Sequence, residues 1–127
     1  MALFSTDSIA VFYSNVQAAK RWWIETFDCK QAGGPTTFDL PLPSDVALTL
    51  PGYVSPTILL SDRAEVQKAG LEPCADRPIL FCNKIKKAHD YLEGRGASPG
   101  PIQDGGGTQF FEIRDPEGNC IEICEEP

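Results

Sequence analysis

Ile9-Ala-Val-Phe-Tyr-Ser-Asn-Val-Gln-Ala-Ala-Lys-Arg-Trp-Trp23 and Pro78-Ile-Leu-Phe-Cys-Asn-Lys-Ile-Lys-Lys-Ala-His-Asp-Tyr-Leu92 are one pattern written twice, 69 residues apart. Phe12 lies on Phe81, Val16 on Ile85, Ala19 on Ala88, Trp22 on Tyr91 and Trp23 on Leu92. An internal repeat outranks any local motif, because it fixes the architecture on which motifs sit. In each copy a short apolar strand runs into an amphipathic helix. Val16, Ala19, Trp23 and Phe27 share one side of the first helix, and Ile85, Ala88 and Leu92 one side of the second, at the three-to-four spacing of a single helical face. Lys20, Arg21, Glu25, Lys86, Lys87 and Asp90 then face water, as does His89, the only histidine.

The ends of the halves correspond too, now 63 residues apart: Ala47-Leu-Thr-Leu-Pro-Gly-Tyr-Val-Ser-Pro-Thr-Ile-Leu-Leu60 lies over Phe110-Phe-Glu-Ile-Arg-Asp-Pro-Glu-Gly-Asn-Cys-Ile-Glu-Ile123. Both read as hairpins, since Pro fixes φ and Gly supplies a conformation other residues resist. The change from 69 to 63 is a six-residue difference in the loop between helix and hairpin. A further strand falls after each helix, near Cys29 to Ala32 and near Ser98 to Gln103, so each half reads strand, helix, strand, strand, strand. The 127 residues form a single domain of two modules, 8–60 and 78–125, joined by a linker over 61–77 that contains Pro73 and a short polar helix-like stretch, Arg63 to Lys68.

Composition bounds the function. Apolar residues make up 42% of the chain, with seven Phe, three Tyr and two Trp, which is enough to build a core. Eleven basic against 18 acidic side chains give a net charge of −7. With no basic stripe beyond Lys84, Lys86 and Lys87, a nucleic-acid partner is not expected. No apolar run approaches the ~20 residues of a membrane span and the N-terminus lacks a leader's features, so neither a membrane partner nor export is expected. Five cysteines, Cys29, Cys74, Cys82, Cys120 and Cys124, are odd in number and include no CxxC. Reduced thiols in the cytoplasm fit that count better than disulfides or a zinc knuckle.

Tyr13-Ser-Asn-Val-Gln-Ala-Ala-Lys-Arg-Trp-Trp23 resembles the entry to the first helix of the vicinal oxygen chelate superfamily, and Phe110 to Glu125 resembles its closing F-x-D-P-x-G-N-x-I-E-L hairpin. This is the superfamily of glyoxalase I, extradiol dioxygenases and the fosfomycin- and bleomycin-resistance proteins. The resemblance spans Ser8 to Glu125 and implies an α+β fold in which two paired βαβββ modules form a cup of curved mixed sheets, in a homodimer. In the superfamily's enzymes a divalent metal is held in the cup by one residue at the start of the first strand and one in the last strand of each module. Those positions fall here on Ser8, Leu59, Arg77 and Glu122. Only Glu122 is a ligand type, and Arg77 would repel a cation, although a register shift of one residue would bring in Asp76.

Strand alternation separates two faces. Ile9, Val11, Tyr13, Ile121 and Ile123 carry the parity that packs under the helices. Ser8, Ala10, Phe12, Thr57, Leu59, Ile79, Phe81, Cys120, Glu122 and Cys124, with Arg77 at the edge, would line the cup. Such a lining suits a flat organic molecule held by stacking and one or two polar contacts. It points to a protein that binds a small aromatic or apolar molecule, a metabolite or antibiotic, with no cofactor. The alternative is an enzyme of the same type, a lyase, isomerase or dioxygenase, with an atypical divalent metal site or Glu122 as general base. Phe12 and Phe81 could instead be core filler, and Glu122 could serve only as an ion-pair partner of Arg77. Gly105-Gly-Gly107 lacks the Lys-Ser or Lys-Thr of a phosphate loop and reads as a loop at the cup's mouth.

Overall fold

Asn15 begins the first helix by chemistry that the sequence carries locally: its side chain accepts a hydrogen bond from the Ala18 N–H at 3.0 Å, filling one of the donors a helix start leaves open. In the computed structural model, which describes residues 3–7, 9–31, 42, 44–54, 56–70 and 78–126, that helix is α1 (Val16–Phe27). It ends at Asp28, which adopts the left-handed conformation at φ 57°. It follows β1 (Phe4–Ser5) and β2 (Ile9–Tyr13) and precedes β3 (Lys30–Gln31), β4 (Val46–Thr49) and β5 (Ile58–Asp62). Next come α2 (Arg63–Lys68), β6 (Ile79–Cys82), α3 (Ile85–Gly94), β7 (Gln103–Asp104), β8 (Gln109–Arg114) and β9 (Cys120–Glu125). The strand, helix, strand, strand, strand order therefore appears twice. The short helix at Arg63 to Lys68 is present, and β5 runs on through Asp62, inside the stretch read as linker.

Two mixed, open sheets result, ordered β2-β5-β4-β3 and β1-β6-β9-β8-β7. In each half the first strand pairs in parallel with the last. Ala10 stands beside Leu59 and Ile79 beside Glu122; since 79 − 10 = 69 and 122 − 59 = 63, both repeat offsets hold in one register. The hairpin alignment needs a correction. Ala47 pairs with Leu59 and Glu112 with Glu122, so β4 and β8 correspond at 112 − 47 = 65, and by register the first hairpin is two residues longer. The second turn is tightened by Asp115, whose carboxylate accepts from the N–H of Glu117 and Asn119 and from Asn119 Nδ2. The first turns more loosely at Pro51-Gly52, where Gly52 has φ 87° and Tyr53 N–H donates to Leu50 O.

The sequence reading did not include β1. It pairs antiparallel with β6, Phe4 opposite Cys82, and lays the buried Phe4 ring edge-on to Phe27 of α1 at 5.1 Å and to Tyr91 of α3 at 5.8 Å. Both helices pack over one cluster that takes side chains from both sheets, Tyr13, Leu60, Leu80, Phe111 and Ile123 among them. Within it Trp23 Nε1 donates to the Tyr13 hydroxyl at 2.9 Å, both residues being fully buried. Burial, then the charge of Asp115, pushes the Tyr13 hydroxyl far above its ordinary pKa.

Replacing Tyr13 by Phe removes that acceptor and strands the Trp23 N–H in a dry core. Urea unfolding of Tyr13→Phe is expected to show a loss of about 1–3 kcal/mol; an unchanged midpoint would show that the indole finds another partner.

Candidate ligand-binding site

The strand parity left over by the core forms a second face, turned away from α1 and α3. On the larger sheet it carries two cross-strand rows, Ile79–Glu122–Glu112 and Phe81–Cys124–Phe110, with Arg114 beside Cys120. On the smaller sheet the rows are Ala10–Leu59–Ala47 and Phe12–Ser61. Phe12, Thr57, Leu59, Ile79, Phe81, Cys120, Glu122 and Cys124 are all half-buried, and Ala10 is exposed. Ser8, Arg77 and the alternative Asp76 lie outside the described residues, as does Cys74. The structure thus brings five of the expected residues, Ile79, Phe81, Cys120, Glu122 and Cys124, onto one sheet beside one another.

Two thiol–carboxylate hydrogen bonds order the polar part of this face. Cys120 Sγ donates to Glu112 Oε2 at 3.2 Å, and Cys124 Sγ to Glu122 Oε2 at 3.4 Å. Burial, with Glu122 beside it, pushes the Cys124 thiol up to about 11, so it stays protonated and donating. Cys29 and Cys82 are buried on the helix side, where desolvation lifts each to about 12. His89 departs from expectation. Instead of facing solvent it is half-buried, its ring edge-on to Phe111 at 5.0 Å and Nε2 2.9 Å from Gly100 O, because α3 lies low over β8.

Sequence reasoning missed four residues of this face. Phe110 and Glu112 follow the alternation of Phe110 to Arg114 and were open to the same argument that placed Glu122. Asp45 and Ser61 gave no such signal. Ser61 stands opposite Phe12, and Asp45, one residue before β4, continues the register to Ser61. They are 8% and 3% exposed. Neither Asp45 carboxylate oxygen has a hydrogen bond. Burial pushes this carboxyl above its ordinary pKa; the nearby Ser61 hydroxyl and Leu42 backbone pull the other way, and Glu65 reinforces burial. Glu65 is itself fixed by the N–H and hydroxyl of Ser44.

Solved structures share this arrangement over the whole chain. TnmS3, an antibiotic binding protein from Streptomyces sp. CB03234, aligns over 100% of this chain and 99% of its own at 18% identity and TM-score 0.70. A glyoxalase/bleomycin resistance protein/dioxygenase superfamily member from Sphaerobacter thermophilus DSM 20745 aligns over 96% and 97% at 19% identity and TM-score 0.70. A lactoylglutathione lyase from Agrobacterium tumefaciens aligns over 95% and 92% at 16% identity and TM-score 0.69. The chain has the glyoxalase/bleomycin resistance/dioxygenase fold. No protein-family model matches the sequence, and no curated protein matches it.

The side chains at the positions where the resemblance places a metal ion's ligands are a poor set for one. At the four positions stand a serine, a leucine, an arginine and one carboxylate, and Leu59 is bracketed by two alanines, Ala10 and Ala47. Among the described residues no three His, Cys, Asp or Glu side chains are grouped so as to hold an ion. Tight binding of a divalent transition ion needs three or four such donors.

Asp45 gives a pH test. Its folded pKa is raised, so the folded state holds a proton that the unfolded state has released; its stabilising share is full below the ordinary carboxylate pKa and is lost as pH rises through the raised value. The melting temperature of Asp45→Asn relative to wild type is therefore expected to climb as pH rises from about 4. A constant difference from acid to neutral pH would mean that Asp45 ionises as it does in water.

Proposed function

We propose that the chain binds a flat aromatic or otherwise largely apolar small molecule on this face, without a metal ion, as a sequestering protein. The observation that carries the reading is the half-buried row Phe81–Cys124–Phe110, which lies beside Ile79 and Glu122. A half-buried aromatic surface with a carboxylate at its side offers stacking area plus one directional contact, the usual economy of a small-molecule site. The likeness in fold to an antibiotic binding protein supports the same reading. A second reading is an enzyme that uses Glu122 as general base on the bound molecule. It is favoured by the retained carboxylate and by the likeness in fold to a lactoylglutathione lyase.

Trp22 and Trp23 lie on α1, across the sheet from this face, so the shift in melting temperature on adding a ligand is a better readout than their fluorescence. In a screen of aromatic natural products, a hit is expected to bind Glu122→Gln more weakly by about 1.5–3 kcal/mol, roughly ten- to 150-fold in Kd, with the fold retained. Affinity and melting temperature both unchanged would remove Glu122 from the site. Elemental analysis of protein purified without a metal-affinity tag is expected to give no stoichiometric zinc, nickel, iron or manganese; one equivalent lost in Glu122→Gln would overturn the metal-free reading.

We further propose a homodimer in the cytoplasm. Thiols at Cys29, Cys82, Cys120 and Cys124 suit a reducing compartment, and among the described residues no helix is long and apolar enough to cross a membrane. Sedimentation at micromolar concentration is expected to report two chains, and a monomer there would exclude the dimer.

A further inference from the structure

Asp45, Ser61 and Phe12 form one cross-strand row at the end of the smaller sheet's ligand face, and Asp45 is the unusual member. A carboxylate more than nine-tenths buried, with no well-formed hydrogen bond to either oxygen, is costly in an empty protein, because the nearby Ser61 hydroxyl and Leu42 backbone replace only part of the water it has given up. Two more observations place this cost on the ligand side of the sheet. Ala47, on the same face, and Val66 of α2 are buried but stand outside the cluster that packs under the helices. Ser61, the residue between Asp45 and the half-buried Phe12, is itself buried and lies near enough to lower the cost of the Asp45 charge.

We propose that Asp45 is the anchor for a basic nitrogen of the bound molecule, so that the ligand class is an aromatic amine, amidine or guanidine and not a neutral aromatic. This inference rests on the small-molecule reading and narrows it. Phe12 offers a ring to stack on, and two strand spacings away, about 10 Å, Asp45 offers an acceptor; a fused ring bearing a short aminoalkyl arm spans that interval. The charged groups around Asp45 agree with a cationic guest. Glu65 of α2 is its charged neighbour. The guanidinium of Arg63, at the start of α2, is held instead by Phe12 O at 3.1 Å and Ser14 Oγ at 3.4 Å, near Glu117. On the larger sheet the open face is acidic as well, with Glu112 opposite Glu122, and Arg114 donates to Gly118 O at its turn. A cation therefore enters a negative neighbourhood, and a donor paired with Asp45 relieves a buried group the fold leaves unsatisfied.

The test titrates the whole protein by calorimetry with naphthylmethylamine and with naphthylmethanol, which differ only in the group offered to Asp45. Wild type is expected to prefer the amine at least tenfold, and Asp45→Asn to bring the ratio of the two affinities close to one. The melting temperature of the variant confirms that it is folded, and Asp45→Ser at the same site serves if Asn fails to fold. Equal binding of the two probes by wild type, a preference for the alcohol, or an amine preference that survives in both variants would each overturn the proposal while leaving the small-molecule reading in place. If neither probe nor any aromatic compound of the wider screen binds wild type, the small-molecule reading falls, and this inference with it.

Discussion

Parallel pairing of the first strand with the last in each half is the constraint from which the rest of the molecule follows. Parallel neighbours cannot be joined by a tight turn, so the chain must cross over, and an amphipathic helix is the compact way to do it. The crossover covers one face of the sheet; the other is left half-buried on the larger sheet and is buried at Asp45, Ala47 and Ser61 on the smaller one. Residues of one parity, such as Tyr13, Leu60, Leu80 and Ile123, are thereby committed to the core. The other parity is released from packing duty and becomes the place where chemistry can vary. The register Ala10–Leu59 and Ile79–Glu122 is kept through both repeat offsets, which means that length variation has been confined to the loops.

The two halves are stitched at the ends of their helices. Glu117, in the β8–β9 turn, accepts from the N–H of Ser14 and Asn15 at 2.8 and 2.9 Å, so a turn of the second half caps the first half's helix. Burial alone would raise the Glu117 carboxyl, but these two N–H groups, with the Ser14 hydroxyl and the charge of Arg63, together hold it below its ordinary range. Arg95, just past α3, grips Asp28, just past α1, through both nitrogens at 3.1 and 3.0 Å. The pair is solvent-exposed, and such pairs fix geometry more than they stabilise. With Phe4 wedged between Phe27 and Tyr91, these contacts join the two halves on the helix side.

The fold was legible because its signals are periodic. Val16, Ala19, Trp23 and Phe27 announce a helix face at any level of sequence identity, and the second copy at Ile85, Ala88 and Leu92 turns a helix into an architecture. β1 was not legible, since two residues carry no period. The register of β4 was read two residues off because the 63-residue offset of the last strands was carried back across the hairpin, whereas Pro51 and Pro116 stand 65 apart and the second turn, tightened by the Asp115 side chain, is two residues shorter. Of the face opposite the helices, Glu122, Phe81 and Cys124 follow from alternation, and Phe110 and Glu112 obey the same rule. Asp45 does not. A Ser-Asp pair ahead of an apolar run reads as turn chemistry, and whether such an acid is solvated or buried depends on packing that no local window contains. His89 was misplaced for the same reason, since its neighbour Phe111 is 22 residues distant in the chain.

The repeat also bears on how a ligand would be held. A backbone with twofold-like halves and matching side chains would accept a ligand in two orientations of equal energy, which weakens selectivity. Here the corresponding positions have diverged. Leu59 sits between two alanines, while its counterpart Glu122 sits between Ile79 and Glu112. The buried carboxylate of the smaller sheet, Asp45, is on the Phe12 row and not on the row of Leu59. By register its counterpart on the larger sheet is Phe110, since 45 + 65 = 110. An acid thus occupies the position that corresponds to an aromatic, and an aliphatic the position that corresponds to an acid, so two orientations of a guest related by the repeat would differ in which polar group is satisfied. Because an unsatisfied buried acceptor costs more than a formed hydrogen bond returns, that difference selects one orientation even where the apolar contacts are indifferent to it.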